Sequence, residues 1–245
     1  HGDHPIITLS PSSVEETYTL IMEAFTLAES YRTPVIFLMD EMIGHLRAGV
    51  ALPELPEPPR LNCEFYKTAP YCTEPGEYVP HMPPIGYGQR YNITGLIHDE
   101  SGFPTNSNAE CERLLTRLND KIEKNLDDTC RSEEYLTGDA DVLIACFGGA
   151  ALAVRAAVDM LRAEGIRAGM FRPVTVWPFP AEAFKRAARQ ANRLYAAELN
   201  MGQMAQELEK YTSGREVGRI CKYNGQPLYP KEITARIKEE ISHGG

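Results

Sequence analysis

The sequence lacks the motifs that mark a self-contained catalytic or metal site. Its six cysteines form no C-x-x-C pair, and their spacing matches neither a zinc ribbon nor the usual iron–sulfur ligand runs. It contains no Walker loop, no G-x-G-x-x-G, no G-x-S-x-G and no H-E-x-x-H. From these absences we assign no catalytic residue and no metal ligand, and we predict that the chain does not carry a complete active site.

Basic residues and long apolar runs are also scarce. The 34 acidic residues outnumber the 25 basic ones, which gives a net charge of −9 and argues against a nucleic-acid or anionic-membrane partner. No run of eighteen apolar residues exists, so the sequence predicts no transmembrane helix. Reduced thiols are the default for an acidic chain of this length, and we therefore expect a cytoplasmic protein.

The pattern that is present is an alternation of apolar strands and helices. Two glycines follow the first of these strands, and a helix of about four turns comes next. Strands that alternate with helices of ten or more residues predict a parallel sheet covered on both faces. The predicted strands occupy residues 141–147 (DVLIACF), 166–171, 194–199 and 218–223, and a closing amphipathic helix occupies residues 231–242.

The first 47 residues predict one β-α-β unit, with strands at 5–9 and 35–39. Either Ser12 or Ser13 fits the capping box of the helix between them. Two strands and one helix cannot bury both faces of a sheet, so either a partner supplies the rest or the sequence begins inside a domain; we favour the second. The helical spacing predicts a buried face formed by Val14, Tyr18, Ile21, Met22, Phe25 and Ala28.

The middle of the chain is rich in proline and aromatic residues. Residues 51–92 contain nine prolines with interleaved tyrosine and phenylalanine, which predicts an extended arm that packs along a surface, most plausibly a subunit interface. An amphipathic helix is predicted over 111–124, and residues 133–139 are predicted to be a connector.

Four groups of residues are candidates for a binding or interface role. The glycines Gly148 and Gly149 suggest either a phosphate-binding turn or a close-packed turn, and Arg172 stands where a ribose-binding acid would be expected. The others lie at predicted turns or strand ends, where open α/β sheets place ligand-facing groups. They are Asp40, Glu41 and His45; Thr94, Gly95, His98, Asp99 and Glu100; and Asn200, Gly202 and Gln203.

Several long segments, taken in order, resemble the α subunit of 2-oxoacid:ferredoxin oxidoreductases, particularly the 2-oxoglutarate type. The resemblance covers nearly the whole chain and is weakest over residues 61–78. The segments that carry it are residues 1–7 (HGDHPII), 10–13 (SPSS), 31–36 (YRTPVI), 94–104 (TGLIHDESGFP), 171–180 (FRPVTVWPFP), 198–203 (ELNMGQ), 224–228 (NGQPL) and 230–233 (PKEI).

The resemblance implies oxidative decarboxylation of a 2-oxoacid to an acyl-CoA, with electrons passed to ferredoxin. It implies thiamine diphosphate and Mg²⁺ in the full complex, a 4Fe–4S cluster on the β subunit, and β subunit, ferredoxin and coenzyme A as partners. The activating glutamate and the Y-P-I-T-P segment of the family are not found, so we expect the C-terminal portion of the subunit, a fragment that binds no cofactor alone and is inactive alone.

The resemblance also implies the domain order and the fold class. We expect an α/β chain in which residues 1–50 are the end of a thiamine-pyrimidine-type domain and residues 51–138 are a linker or interface arm with a helix. Residues 139–245 are expected to form a transketolase-C-terminal-like doubly wound domain. Two alternatives stay open: the β component of a 2-oxoacid dehydrogenase complex, distinguished by its lipoyl electron acceptor, and a non-catalytic α/β binding module.

Overall fold

The computed structural model describes residues 3–54, 69–80, 82–83, 86 and 88–243. The part of the arm at 55–68 lies outside this range, as does Cys63. The strands are β1 (Ile7–Leu9), β2 (Val35–Phe37), β3 (Ser132–Tyr135), β4 (Val142–Cys146), β5 (Ala168–Pro173), β6 (Thr175–Trp177), β7 (Arg193–Glu198) and β8 (Val217–Cys221). The helices are α1 (Val14–Tyr31), α2 (Glu41–His45), α3 (Asn108–Glu123), α4 (Leu126–Thr129), α5 (Ala150–Ala163), α6 (Ala181–Ala187), α7 (Gln203–Glu209) and α8 (Pro230–His243).

The large sheet has the order β3-β5-β4-β7-β8, and its last four strands run parallel. Helices α5 and α8 bury one face, through residues such as Val154 and Ile233. Helices α6 and α7 bury the other face, through Phe184 and Leu208. The predicted parallel sheet with helices on both faces is therefore confirmed.

The small sheet has the order β2-β1-β6, and its β1-α1-β2 portion is the predicted parallel unit. Ser13 is the N-cap of α1 and accepts a hydrogen bond from Glu16 N at 3.1 Å. Ser12 donates to the Glu16 carboxylate from its main-chain N and its hydroxyl, at 2.7 and 2.8 Å. Both serines thus take part in the cap, which is why the sequence pattern fits either one.

The buried face predicted for α1 is only partly right. Phe25 is 60% exposed and Tyr18 is 37% exposed. The buried positions instead include Leu20, Ala24 and Leu27, because a three-stranded sheet is too narrow to cover two apolar stripes of one helix.

The connector predicted at 133–139 is wrong, because Ser132–Tyr135 forms the antiparallel edge strand β3. The sequence SEEY shows no apolar alternation, and its two acids bind cations of the fold. Glu133 accepts from Arg172 Nε at 2.7 Å, and Glu134 accepts from Arg186 at 2.8 Å. Ion pairing replaces apolar burial as the reason for this strand.

A nearly buried guanidinium joins the two sheets. Arg172 on β5 is 4% exposed and donates to Glu16 of α1 at 2.7 and 3.0 Å, besides its bond to Glu133. Burial raises the pKa of Glu16, but hydrogen bonds and charge from Arg172, with the Ser12 donors, outweigh it and hold that pKa below its ordinary value. We call Arg172, Glu16 and Glu133 the clasp.

The three-part division into 1–50, 51–138 and 139–245 stays a prediction, and two strands cross its boundaries. Strand β3 precedes residue 139 and belongs to the large sheet, whereas β6 follows it and pairs antiparallel with β1. Only Val174 separates β5 from β6, so the chain passes directly from one sheet into the other.

A lysine is buried where α3 meets the end of α1. Lys121 is 2% exposed, and its Nζ donates to the main-chain oxygen of Arg32 at 3.3 Å. Burial, with the charge of Arg117, lowers the pKa of Lys121 to about 8. Because the unfolded chain holds this proton up to its ordinary pKa of about 10.4, the unfolded state binds more protons in between.

We therefore expect the free energy of unfolding to rise with pH between about 8 and about 10, by about 3 kcal/mol from this lysine. Lys121→Met should remove that rise, measured by urea unfolding across the window. The exposed Lys124→Met is the control and should keep it. Equal pH slopes for wild type and Lys121→Met would contradict the assignment.

Within the described residues, no helix is long and apolar enough to cross a membrane.

Candidate functional site

The carboxyl edge of the large sheet is where its strand order reverses. Strand β5 lies on one side of β4 and β7 on the other, so the exits of β4 and β7 diverge from one point. Open α/β sheets bind ligands in the crevice at such a point. The β4 exit carries Gly148 and Gly149, and the β7 exit carries Leu199 and Asn200.

The double-glycine turn is filled by a carboxylate of the chain itself. Gly149 N, at the start of α5, donates a hydrogen bond to Asp40 Oδ2. Gly148 has φ +59°, and a Cβ there would collide with the same carboxylate. Of the two interpretations of this turn, the close-packed one is the one observed, and Asp40 takes the place that a phosphate would need.

A cleft of about 260 Å³ lies beside this contact. Asp40 and Glu41 form one wall, so two of the three candidates at the end of the small sheet reach the edge of the large one. His45 does not line the cleft; it is 79% exposed and sits 3.9 Å from the Glu41 carboxylate. The lining residues are Asp40, Glu41, Met42, Leu199, Lys222, Tyr223, Gly225 and Gln226.

The turn at residues 200–203 borders the cleft through Leu199 and is built for helix capping. Asn200 Oδ1 accepts from Gly202 N at 2.9 Å and from Gln203 N at 3.1 Å, and Gly202 has φ +104°. The polar atoms of Asn200 are thus engaged in the turn itself.

Sequence reasoning missed Glu198, the last residue of β7. It is fully buried, and its carboxylate accepts from Met204 N at 2.8 Å and from Ala205 N at 3.0 Å. It serves as the cap that Gly202, the N-cap residue of α7, cannot provide. The available signal was an acid at the end of an apolar strand just before a helix with no capping side chain.

The loop that contains Thr94 and His98 is a second, separate feature. His98 is 7% exposed, its Nε2 lies 3.0 Å from Thr94 Oγ1, and its ring stacks on Tyr71 with centroids 5.5 Å apart. No hydrogen bond or ion pair among the described residues joins this loop to the cleft. The structure therefore places the candidates at two sites.

The remaining polar candidates of the loop shape its backbone. Asp99 Oδ1 accepts from Ser101 N at 2.9 Å and from Phe103 N at 3.3 Å. The hydrogen bonds from Ser101, its hydroxyl first, lower the pKa of Asp99. Glu100 pairs with Arg113 at 3.2 Å, and Gly95 lines a shallow cavity beneath the loop.

The loop exposes three apolar side chains that the sequence argument passed over. Ile93, Leu96 and Phe103 are 69%, 62% and 51% exposed. A loop that is fixed by its own hydrogen bonds thus presents an apolar surface, which is typical of a protein contact. We call these three residues the apolar trio.

The described residues do not fit a thiamine diphosphate or metal site. The helix N-terminus that could receive a diphosphate is occupied by Asp40. No group of three or more His, Cys, Asp or Glu side chains in the described part of the chain could hold a metal ion. A thiol nucleophile is not favoured either, since burial raises the pKa of Cys146 to about 12 and that of Cys130 to about 11.

The fold and the carboxyl-edge cleft define a two-sheet α/β protein of the kind that binds ligands at strand exits. Comparison with known proteins narrows this class. The thiamine diphosphate-binding domain of pyruvate flavodoxin/ferredoxin oxidoreductases matches residues 2–116. Core domain II of pyruvate:ferredoxin oxidoreductase matches residues 140–233.

Whole-chain relatives agree with these domains. 2-Oxoglutarate synthase subunit KorA of Methanothermobacter marburgensis is 40% identical over 97% of this chain and 64% of its own length. Ketoisovalerate oxidoreductase subunit VorB of Methanothermobacter thermautotrophicus is 30% identical over 98% of this chain and 61% of its own length. The chain thus spans somewhat less than two thirds of these relatives.

A solved structure matches as well. It is 2-oxoglutarate:ferredoxin oxidoreductase from Magnetococcus marinus with 2-oxoglutarate, coenzyme A and succinyl-CoA bound, with a TM-score of 0.84 and 29% identity. The match covers 98% of this chain and 43% of that one. The chain belongs to the 2-oxoacid:ferredoxin oxidoreductase family.

Proposed function

We propose that this chain is part of the α subunit of an enzyme that oxidatively decarboxylates 2-oxoglutarate with coenzyme A and passes the electrons to ferredoxin. The observation that carries the proposal is the 40% identity to a 2-oxoglutarate synthase subunit over 97% of the chain. The ketoisovalerate relative, at 30%, makes a branched 2-oxoacid the second substrate to test. The comparisons do not favour a lipoyl-dependent dehydrogenase or a binding module.

In this proposal thiamine diphosphate, when bound, supplies the electron sink for decarboxylation. Since the described residues build neither a diphosphate nor a metal site, the cofactor, Mg²⁺ and the 4Fe–4S cluster are held elsewhere in the complex. The residues described here contribute the walls of the cleft and the loop surface. We place the complex in the cytoplasm, in keeping with an acidic chain that has free thiols.

The test is a CoA-dependent viologen reduction assay on the α subunit coexpressed with its β subunit. We expect 2-oxoglutarate to give a kcat/KM at least about tenfold above those of pyruvate and 2-oxoisovalerate, because a charged substrate carboxylate is read by specific pairing. Turnover with 2-oxoisovalerate as the best substrate would overturn the substrate assignment. Reduction of a lipoyl domain with no viologen reduction would overturn the enzyme class.

We further propose that the apolar trio and the loop of Thr94, Gly95, His98, Asp99 and Glu100 contact the β subunit. Leu96→Glu would place a charge in that contact and weaken copurification of β by about tenfold or more. Leu152→Glu is the matched control, since Leu152 is 55% exposed on α5, and it should leave assembly unchanged.

Changes at His98 or Asp99 should act on the same contact through the loop's shape. His98→Ala and Asp99→Ala remove the bonds to Thr94 and Ser101, and we expect lower turnover or assembly of the complex. Wild-type turnover and wild-type assembly in both variants would contradict an interface role for the loop. The turn of Asn200, Gly202 and Gln203 is proposed to face the subunit interface or the substrate channel.

A further inference from the structure

The short segment after β2 crosses the mouth of the switch-point cleft. Residues 40–46, which we call the strap, contain α2 and supply the Asp40, Glu41 and Met42 wall of the cleft. The opposite wall comes from the exits of β7 and β8, through Leu199 and Tyr223. The position of the strap therefore sets the width of the cleft.

The strap has few attachments. Ile43, at 3% exposed, is its buried apolar anchor, whereas Glu41 and His45 are about four-fifths exposed. Among the described hydrogen bonds, Asp40 makes the one that joins a strap side chain to the large sheet. That bond is made to the N-terminal amide of a fourteen-residue helix, where a negative charge is favoured.

The sequence of the turn is shaped around this contact. A Cβ at Gly148 would collide with the Asp40 carboxylate, and one at Gly149 would lie 3.1 Å from Asp40 Oδ2. Glycine at these positions is thus required by a carboxylate of the same chain, which arrives from the other sheet.

We propose that Asp40 is a latch, and that its release lets the strap move away from the cleft while both sheets stay folded. The latch is a conformational device and does not depend on the identity of the substrate. A contact of this kind opens locally, because breaking one charge-assisted bond frees few residues.

The experiment is hydrogen–deuterium exchange on the intact protein with Asp40→Ala, Asp40→Asn and Glu41→Gln variants. For Asp40→Ala we expect amide exchange over residues 41–46 and at Gly149 to speed up by about tenfold or more, with β4 and β7 unchanged. Asp40→Asn, which keeps an acceptor without the charge, should give an intermediate effect, and Glu41→Gln none.

A pair of glycine variants separates the latch from simple backbone strain. Gly148 and Gly165 flank α5 with φ +59° and +84°, and a Cβ at Gly165 would meet no atom within 4 Å. Gly148→Ala should reproduce the local opening of Asp40→Ala, and Gly165→Ala should not. In an Asp40→Ala background, Gly148→Ala should add nothing to exchange over 41–46.

Unchanged exchange over 41–46 in Asp40→Ala would overturn the latch. Equally faster exchange across the strap and the large sheet would overturn it too, since Asp40 would then act on global stability alone. Neither result bears on the substrate assay, so failure of the latch and failure of the proposed function are distinguishable.

Discussion

Replacing Arg172 by methionine should lower the free energy of unfolding by about 3–5 kcal/mol at neutral pH, because it leaves the half-buried carboxylates of the clasp without their cation. Arg172 is 4% exposed and serves both Glu16 and Glu133. Methionine fills similar volume, so the lost charge and hydrogen bonds dominate the change. Urea unfolding monitored by circular dichroism would measure it.

The matched control is Arg167→Met. Arg167 also makes a bidentate pair, with Asp141 at 2.8 and 2.9 Å, but it is 59% exposed. Exposed pairs of this kind contribute about 0–1 kcal/mol, so the control should be nearly silent. Equal losses in the two variants would show that burial of the clasp does not matter.

The pH dependence of the clasp has a definite sign. The pKa of Glu16 is held below its ordinary value of 4.5, so its contribution is present above that value and is lost as the pH falls through the folded-state pKa. The stability difference between wild type and Arg172→Met should therefore be largest near neutrality and shrink as the pH falls below about 4.

The second large effect is expected at Glu198, where Glu198→Gln should cost about 2–4 kcal/mol. Both carboxylate oxygens accept main-chain N–H groups of α7 inside the protein. Glutamine would turn an NH₂ group toward an N–H donor and would remove the charge at the helix N-terminus. Urea unfolding gives the loss, and exchange at Met204 and Ala205 shows where it arises.

A second acid on the same helix provides the comparison. Glu209 is 43% exposed and pairs with Arg219 at 2.9 Å, so Glu209→Gln should change stability by less than about 1 kcal/mol. A silent Glu198→Gln would mean that α7 does not need this cap.

The strands and helices of the large sheet were predictable because their apolar runs and glycine punctuation are strong. Residues 141–147 and 194–199 were expected as strands, and β4 and β7 lie inside them. Strand β3 could not be predicted, because its acids are stabilised by cations that come from β5 and α6. Local patterns carry no record of such distant partners.

The candidate site was predictable in its place but not in its chemistry. Strand ends pointed to Asp40 and to the turn at Asn200, and both lie at the carboxyl edge. That the Asp40 carboxylate fills the double-glycine turn depends on how two sheets pack. The exposure of Leu96 and Phe103 likewise depends on which polar side chains the loop uses for its own bonds.

The pairing of β1 with β6 has a consequence for synthesis on the ribosome. Thr8 pairs with Trp177, so the strand nearest the amino terminus waits for a neighbour made much later. Until then one edge of β1, between Ile7 and Leu9, has no strand beside it. Early chains should therefore depend on chaperones or partner contacts, and nascent chains stalled before residue 175 should be more protease-sensitive than those released beyond it.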